Sequence, residues 1–334
     1  MWTTACDLGS REVGDVVGLV SKHPQILRGV GVACTTITRE GTLLSFEEQP
    51  VGLGRAEVAR RMRRLGLGPS FVVSNYSNAG EGFDGALALS VLAKKPKRRA
   101  LAETIARIAK SEGFAAVELD LEQLPNAAAA PYAELAREVK DQLGDPLEIV
   151  VDVHPKTVDD PGWLGPGGHD YAALAATGAV LRLMTYDLSI GPVPAGPSTK
   201  ASWIREVVAY AKSKGVRSEQ LEIGLPAYGY DFPPKGKGAA LPLRFEEVTA
   251  LRTKTKAEVA RDDADVPHFS YDGADGRHEV WFDDEKSLSR LLTDIGDLAT
   301  DVRGIAIWGV GRADPNLGKC LADQGFAVAA ARPR

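Results

Sequence analysis

Residues 113–122 read GFAAVELDLE, and this stretch governs the interpretation of the whole chain. Successive side chains of a strand point to opposite faces, so Glu118, Asp120 and Glu122 share one face and Val117, Leu119 and Leu121 share the other. A solvated edge strand would show the same pattern. Because the flanking sequence alternates strands with helices, we expect the aliphatic face to cover helices and the carboxylates to point into a barrel, a costly arrangement typical of acid/base or metal chemistry.

The rest of the chain repeats the alternation of strand and helix. Eight strands are predicted at Trp2–Cys6, Val30–Ile37, Ser70–Asn75, Ala116–Glu122, Leu147–His154, Val180–Tyr186, Leu221–Tyr228 and Gly304–Val310. Helices with apolar residues three and four apart are predicted at Glu12–His23, Arg55–Leu65, Ala100–Ser111, Tyr132–Leu143, Ala201–Lys214 and Leu288–Leu298. Eight strands joined by helical crossovers favour a closed parallel (β/α)₈ TIM barrel over an open sheet.

One segment interrupts this alternation. Between residues 231 and 286, a Pro/Gly loop is followed by a helix near Phe245–Thr253 and by two short strands, Pro267–Tyr271 and His278–Phe282. The Asp-Gly pairs between these strands are typical of hairpin turns, since glycine adopts positive φ. We therefore expect a barrel made of 1–230 and 287–334, with a small α+β insertion at 231–286 between the seventh and eighth strands.

Composition excludes several classes of protein. With 40 Lys and Arg against 45 Asp and Glu, the 334-residue chain has a net charge of −5, so nucleic acid is not expected as its main partner. No apolar run reaches the length of a membrane-spanning helix, and the first residues carry no secretory signal. The three cysteines are widely spaced, and no spacing of metal ligands is found, so no metal site is predicted.

Three further motifs coincide with the last predicted strands. Residues 184–187 read MTYD at the end of the sixth strand, 224–229 read GLPAYG on the seventh, and 304–308 read GIAIW on the eighth. Together with the acidic stretch of the fourth strand, they resemble, in order, the motifs of glycoside hydrolase family 18, whose fourth strand carries Asp-Gly-x-Asp-x-Asp-x-Glu. Asp120 and Glu122 match that signature, whereas Ala115 and Ala116 replace its first Asp and Gly, and Glu118 replaces its second Asp.

The likeness extends to one bacterial branch of that family, which includes spore-cortex-lytic N-acetylglucosaminidases. Four segments of this chain resemble sequence motifs of that branch: VSNY at 73–76, PKT at 155–157, YGYD at 228–231 and HEVWFDD at 278–284. The insertion after the seventh strand also stands where many members of the family carry a small α+β domain.

The resemblance implies a retaining hydrolysis of β-linked N-acetylglucosamine glycans in which the substrate's own acetamido group is the nucleophile. Glu122 would be the acid and then the base, Asp120 would orient the acetamido group, and Tyr186 would hydrogen-bond its oxygen. No cofactor is implied. The expected partner is an N-acetylglucosamine-containing polysaccharide, either peptidoglycan or chitin oligomers, and the expected location is therefore outside the cytoplasm or in the cell envelope.

Other residues are expected to bind the substrate. Trp308 offers a flat apolar face for stacking against a sugar ring. The remaining candidates are Glu118, Asp187, Tyr228, Asn75 and Tyr76. His154, at the end of the fifth strand, is as consistent with a structural role as with the cleft.

Two alternative functions are a carbohydrate-binding protein and a metal-dependent hydrolase. A carbohydrate-binding barrel without catalysis is favoured by Ala115 and Ala116, but such relatives usually lose the terminal Glu that this chain retains as Glu122. A metal-dependent barrel hydrolase is disfavoured, because histidines are scarce near the predicted strand ends. Aromatic residues make up only 7% of the chain, which argues against a long aromatic track for crystalline chitin.

Overall fold

A computed structural model of the protein describes residues 2–5, 10–24, 26–33, 35–45, 54–77, 82–159, 166–191 and 193–325. Eight parallel strands form a ring: β1 (Trp2–Ala5), β2 (Gly29–Val32), β3 (Gly68–Ser74), β4 (Ala116–Asp120), β5 (Glu148–Val153), β6 (Val180–Leu183), β7 (Leu221–Pro226) and β8 (Gly304–Trp308). Each pairs with the next in chain order, and β8 pairs with β1. The predicted (β/α)₈ barrel is confirmed.

Helices follow the strands around the ring. They span Ser10–Lys22, Arg55–Arg64, Gly85–Leu92, Lys95–Glu112, Ala129–Leu143, Tyr171–Ala175, Ala201–Ser213, Glu285–Asp294, Gly296–Asp301 and Leu317–Asp323. Short 3₁₀ turns lie at Asn126–Ala128, Pro166–Gly168, Ser218–Gln220 and Val310–Arg312. In the ranges that the structure describes, no helix combines the length and the apolar character needed to cross a bilayer.

The main core lies between the strands and these helices. Val117 and Leu119 of β4 are completely buried and belong to this core, as the alternation of the sequence predicts. Tyr132, from the following helix, is also completely buried and donates its hydroxyl to the Leu119 carbonyl, 3.1 Å away. The apolar face of β4 is therefore fully used by helices, and its acidic face is left for the barrel interior.

Most predicted strands differ by a few residues at their ends from the observed ones; the second and the fourth are examples. The run predicted at Val30–Ile37 is divided into β2 and a separate strand, Thr35–Ile37, which forms a hairpin with Leu43–Ser45 beside β3. β4 ends at Asp120 rather than at Glu122, because the backbone of Glu122 pairs with a side chain instead of a neighbouring strand.

A second sheet connects β7 to β8. Its five antiparallel strands are Gly229–Phe232, Leu241–Leu243, Ala260–Arg261, Pro267–Gly273 and Gly276–Phe282. The helix Phe245–Thr255 packs on it and encloses a small core of Val248, Phe269, Val280 and Phe282. The domain division predicted at 231 and 286 remains a proposal, and the sheet itself begins two residues before its first boundary.

A tight contact between a helix and the end of β4 provides a test of this packing. A Cβ atom added at Gly85 would lie 1.8 Å from the carbonyl oxygen of Gln123, which directly follows Glu122. We expect Gly85→Ala to destabilise the fold by about 1–3 kcal/mol, because the helix must move away from this backbone. Denaturant unfolding of the purified protein measures the change.

Gly14 supplies the matched control for this substitution. It is exposed within the helix Ser10–Lys22, and an added Cβ would have no atom within 4 Å. Gly14→Ala should stabilise the protein by up to about 1 kcal/mol through helix propensity. Equal effects of the two substitutions would contradict the close approach at Gly85.

Candidate active site

A cleft of about 420 Å³ opens at the carboxyl ends of the barrel strands. This is the end at which parallel strands present loops and substrate-binding groups in barrel enzymes. Its lining comprises Val72, Phe83, Glu118, Asp120, Glu122, Gln123, Asp152, His154, Pro155, Arg182, Met184, Tyr186, Asp187, Ile190, Gly224, Ala306, Ile307 and Trp308. Six of the nine predicted site residues are thus brought together in one cavity.

Burial raises the pKa of four carboxyl groups that line the cleft. The pKa of Asp120 rises to about 7; the charge of Glu118 adds to the effect of burial, and Arg182 opposes it. Burial also raises the pKa of Glu122 well above its usual value, with further contributions from the charges of Asp120 and Asp187. The pKa values of Asp152 and Asp187 are raised by burial as well. The raised pKa of Glu122 favours its protonated form, which a general acid requires.

The backbone of Glu122 is held by Asn75, the residue that follows β3. The Asn75 side-chain amide donates to the Glu122 carbonyl at 2.9 Å, and its oxygen accepts from the Glu122 N–H at 2.8 Å. Asn75 is almost completely buried and is not among the residues that line the cleft; its predicted contact with substrate stays a prediction.

Tyr76 also lies apart from the cleft. Its ring is partly exposed and packs edge-on against Phe83, with the ring centres 5.3 Å apart. Phe83 lines the cleft, and Tyr76 stands next to it as an exposed side chain outside the lining; the predicted contact of Tyr76 with substrate stays a prediction.

Two histidines lie beside Glu122. The Nε2 atom of His154 is 3.4 Å from Oε2 of Glu122, and burial lowers the His154 pKa to about 4, so its ring is neutral near pH 7. His169 stacks on that ring, accepts the His154 backbone N–H at Nδ1, and contacts the Leu121 carbonyl through Nε2 at 2.8 Å. His169 thus connects the end of β5 to the end of β4. This role could not be predicted, because no local pattern in the sequence indicates these contacts.

Tyr186 and Asp187 follow β6. Gly224 of β7 permits a close approach here, since an added Cβ would lie 3.2 Å from the Tyr186 ring and 2.8 Å from a carbonyl oxygen of β6. Asp187 has a positive φ of 65°, and its backbone N–H donates to Ser198 Oγ at 2.9 Å. These contacts hold both side chains at the mouth of the cleft.

Tyr228 holds Asp187 from behind. Its hydroxyl donates to Oδ1 of Asp187 at 2.7 Å, and Tyr230 of the second sheet donates to the same oxygen at 2.9 Å. Tyr228 is buried and is not among the residues that line the cleft; its predicted contact with substrate stays a prediction. Trp308, at the end of β8, does line the cleft and is partly exposed, an environment that suits stacking on a sugar ring.

A layer of charged side chains, which the sequence analysis did not predict, lies deeper in the barrel than the residues described so far. Asp152, Arg182 and Glu222 are direct neighbours across β5, β6 and β7, and all three are buried. The signal was present, since Arg182 and Glu222 are each the one charged residue of their strands and Asp152 lies between apolar neighbours in β5. In the part of the chain that the structure describes, no three His, Cys, Asp or Glu residues gather as metal ligands.

A known family of enzymes matches most of this chain. The profile of the Glycosyl hydrolases family 18 matches residues 78–313. The chain belongs to glycosyl hydrolase family 18. The predicted family is therefore confirmed, and with it the class of enzyme, a glycosidase. The matched range includes β4, with Asp120 and Glu122, and extends beyond β8, with Trp308.

Relatives within this family come from Bacillus subtilis strain 168. The chain is 26% identical to the uncharacterized glycosylase YvbX over 75% of its own length and 73% of that protein. It is 27% identical to the cortical fragment-lytic enzyme over 76% of its own length, but spans only 59% of that relative. This agrees with the predicted likeness to the spore-cortex-lytic branch.

Solved structures show the same fold. The spore cortex-lytic enzyme SleL of Bacillus cereus superposes with a TM-score of 0.80 at 23% identity, over 97% of this chain and 73% of that one. A chitinase from Chromobacterium violaceum gives a TM-score of 0.82 at 20% identity, over 99% of both chains. The latter likeness includes the second sheet, since it covers nearly the whole chain.

The hydrogen bonds from Asn75 to Glu122 predict a cost in stability. Asn75→Ala leaves the Glu122 N–H and carbonyl without these partners, and we expect a loss of about 1–3 kcal/mol in the free energy of unfolding. Thermal and denaturant unfolding measure it. Asn316→Ala, at an exposed position, is the control and should change stability little. An equally small effect at Asn75 would contradict the proposed contact.

Proposed function

We propose that this glycosidase is a retaining enzyme that cleaves β-linked N-acetylglucosamine-containing glycans by substrate-assisted catalysis. The observation that carries the proposal is the shared cleft in which Glu122, with its raised pKa, and Asp120 lie together with Tyr186. A protonated acid, a neighbouring carboxyl group and a phenol are the groups that this chemistry requires when the nucleophile belongs to the substrate.

The first half of the reaction breaks the glycosidic bond. Glu122 donates its proton to the bridging oxygen, and the bond between that oxygen and the anomeric carbon breaks. The acetamido oxygen of the same sugar attacks the anomeric carbon from the opposite side, which forms an oxazolinium ion. Asp120 orients the acetamido N–H and stabilises the positive charge, while Tyr186 donates a hydrogen bond to the acetamido group.

The second half restores the enzyme. Glu122, now a carboxylate, takes a proton from water, and the water oxygen bonds to the anomeric carbon as the acetamido oxygen leaves. Two displacements at one carbon retain its configuration. Asp187 helps to hold the acetamido group, and Trp308 stacks on the sugar ring. Glu118 lies beneath Asp120 and acts on it through its charge.

Peptidoglycan glycan or soluble chitin oligomers are the proposed substrates. Support for the first comes from the cortical fragment-lytic relative and from the fold shared with spore cortex-lytic SleL. Support for the second comes from the fold shared with the Chromobacterium chitinase. A substrate of either kind lies outside the cytoplasm, so we propose action at the cell envelope or beyond it.

Binding without cleavage is the second candidate, and it depends on Ala115 and Ala116. Neither residue lines the cleft; Ala115 is exposed before β4 begins, and Ala116 is buried at the start of that strand. Their replacement of the family's Asp and Gly therefore leaves the cleft groups in place, which favours hydrolysis.

Product analysis by mass spectrometry on purified peptidoglycan and on chitin oligomers tests the function. Glu122→Gln should lower the rate by a factor on the order of 10²–10⁴, because the acid/base group is lost while its shape is kept. Glu206→Gln, an exposed carboxyl on the helix Ala201–Ser213, is the matched control and should retain full activity. Binding of oligomers with no cleavage by wild type would establish the second candidate instead.

The substrate-derived nucleophile has its own test. A thiazoline analogue of N-acetylglucosamine mimics the oxazolinium ion and should inhibit competitively, since the cleft favours that charged ring over the open acetamide. Inhibition constants on the wild type and on Tyr186→Phe measure this, and the variant should bind the analogue more weakly. An active enzyme that the analogue leaves uninhibited would contradict substrate assistance.

A further inference from the structure

Arg182 is a cation inside the barrel, and it lines the cleft at its base. It is 6% exposed, and the strand register places Asp152 of β5 and Glu222 of β7 on either side of it. A guanidinium group stays charged at all ordinary pH values, so burial without partners would be prohibitive. The contacts around it show which carboxylates provide the compensating charge.

Arg182 contacts carboxylates of three strands. Its Nη1 lies 2.7 Å from Oε1 of Glu118 and 3.6 Å from Oδ1 of Asp152, and its Nε donates to Oε2 of Glu222 at 3.0 Å. The other oxygen of Glu118 accepts the Ser70 hydroxyl of β3 at 2.7 Å. Both oxygens of Glu118 are therefore engaged by donors, which is the environment of an ionised carboxylate.

Glu222 is additionally supported from below. Arg303, just before β8, donates to Oε1 of Glu222 at 3.2 Å and to Oε2 of Glu148 at 2.6 Å. Arg182 consequently shares Glu222 with a second cation. Arg182 forms an ion pair with Glu118, whereas the ion pairs of Arg303 in the described structure are with Glu148 and Glu222.

We propose that Arg182 is a positioning residue for the reaction proposed above: together with Ser70 it holds the carboxylate of Glu118 in place beneath Asp120, so that the negative charge of Glu118 acts on the reacting carboxyl groups. Arg182 thereby acts on the reacting groups through Glu118, and it rests on the proposed function.

The electrostatics of Asp120 agree with this geometry. Burial and then the charge of Glu118 raise the pKa of Asp120 to about 7, while Arg182 lowers it. Asp152, the other acid of this layer, also has a raised pKa, through burial and then the charge of Glu118, and a hydrogen bond with Glu118 adds to this effect. The negative charge of Glu118 therefore adds to the effect of burial on Asp120, and removal of that charge should lower the pKa of Asp120.

Glu118→Gln is the direct variant. The amide keeps one acceptor for Arg182 and one donor for Ser70 but carries no charge. We expect the midpoint of the Asp120 titration, followed by its carboxyl ¹³C resonance, to fall by about one pH unit or more, because the neighbouring negative charge is lost. The alkaline limb of the pH profile of kcat/KM should move in the same direction. An unmoved midpoint would overturn the proposal.

A double-mutant cycle separates positioning from mere structural support. Arg182→Met should lower kcat about tenfold or more in the wild type, yet by a few-fold at most in the Glu118→Gln background, since the group on which it acts is then neutral. Additive losses would overturn the proposal. Arg182→Lys keeps the charge without the planar fork; if Arg182→Met fails to fold, this variant replaces it in the cycle.

Arg303→Met is the matched control. It disturbs the same chain of ion pairs through Glu222 and should lower the melting temperature, but the Asp120 midpoint should stay unchanged. An equal shift of the midpoint in this control would also overturn the proposal. The resonance titration needs no substrate, and the double-mutant cycle can be read with it: the shift of the Asp120 midpoint caused by Arg182→Met should be smaller in the Glu118→Gln background than in the wild type. An equal shift in both backgrounds would overturn the proposal even if no glycan is cleaved, which would be a failure of the proposed function instead.

Discussion

One guanidinium in the barrel interior constrains much of what surrounds it. Most barrels of this kind fill their interior with branched aliphatic side chains, whereas here Arg182 stands among Glu118, Asp152 and Glu222. Once that cation is buried, its neighbours must supply negative charge, and the strands that carry them must keep their register. The carboxyl groups of the cleft lie directly above this layer, and their proton affinities follow from it and from their own burial.

The fold and most of the cleft could be predicted from the sequence because each depends on periodicity. Alternation in residues 113–122 gave the direction of Asp120 and Glu122, and eight apolar runs gave the barrel. Asn75, Tyr76 and Tyr228 lie outside the lining of the cleft, and their predicted contacts with substrate stay predictions. A polar or aromatic residue at a strand end does not by itself indicate whether a ligand or the chain is its partner. His169 could not be found, since its contacts join residues 15 and 48 positions apart in the chain.

The cleft contains residues proposed to act on substrate, and a second set of residues holds them in place. The groups proposed to act on substrate come from the ends of β4, β6 and β8, and the groups that hold them follow β3 and β7. Asn75 clamps the backbone of Glu122, and Tyr228 fixes the carboxylate of Asp187. Such support leaves the side chains of Glu122 and Asp120 able to face the cleft while their backbones are fixed.

The hydroxyl of Tyr230 gives the second sheet a share in the cleft. Tyr230 belongs to the first strand of that sheet, yet its hydrogen bond ends on Asp187, which follows β6 of the barrel. The sheet is therefore not an independent module that could be exchanged freely between barrels during evolution or in design. A replacement from another protein would have to bring a hydroxyl to the same place, or the acid at the cleft mouth would lose one of its two phenolic partners.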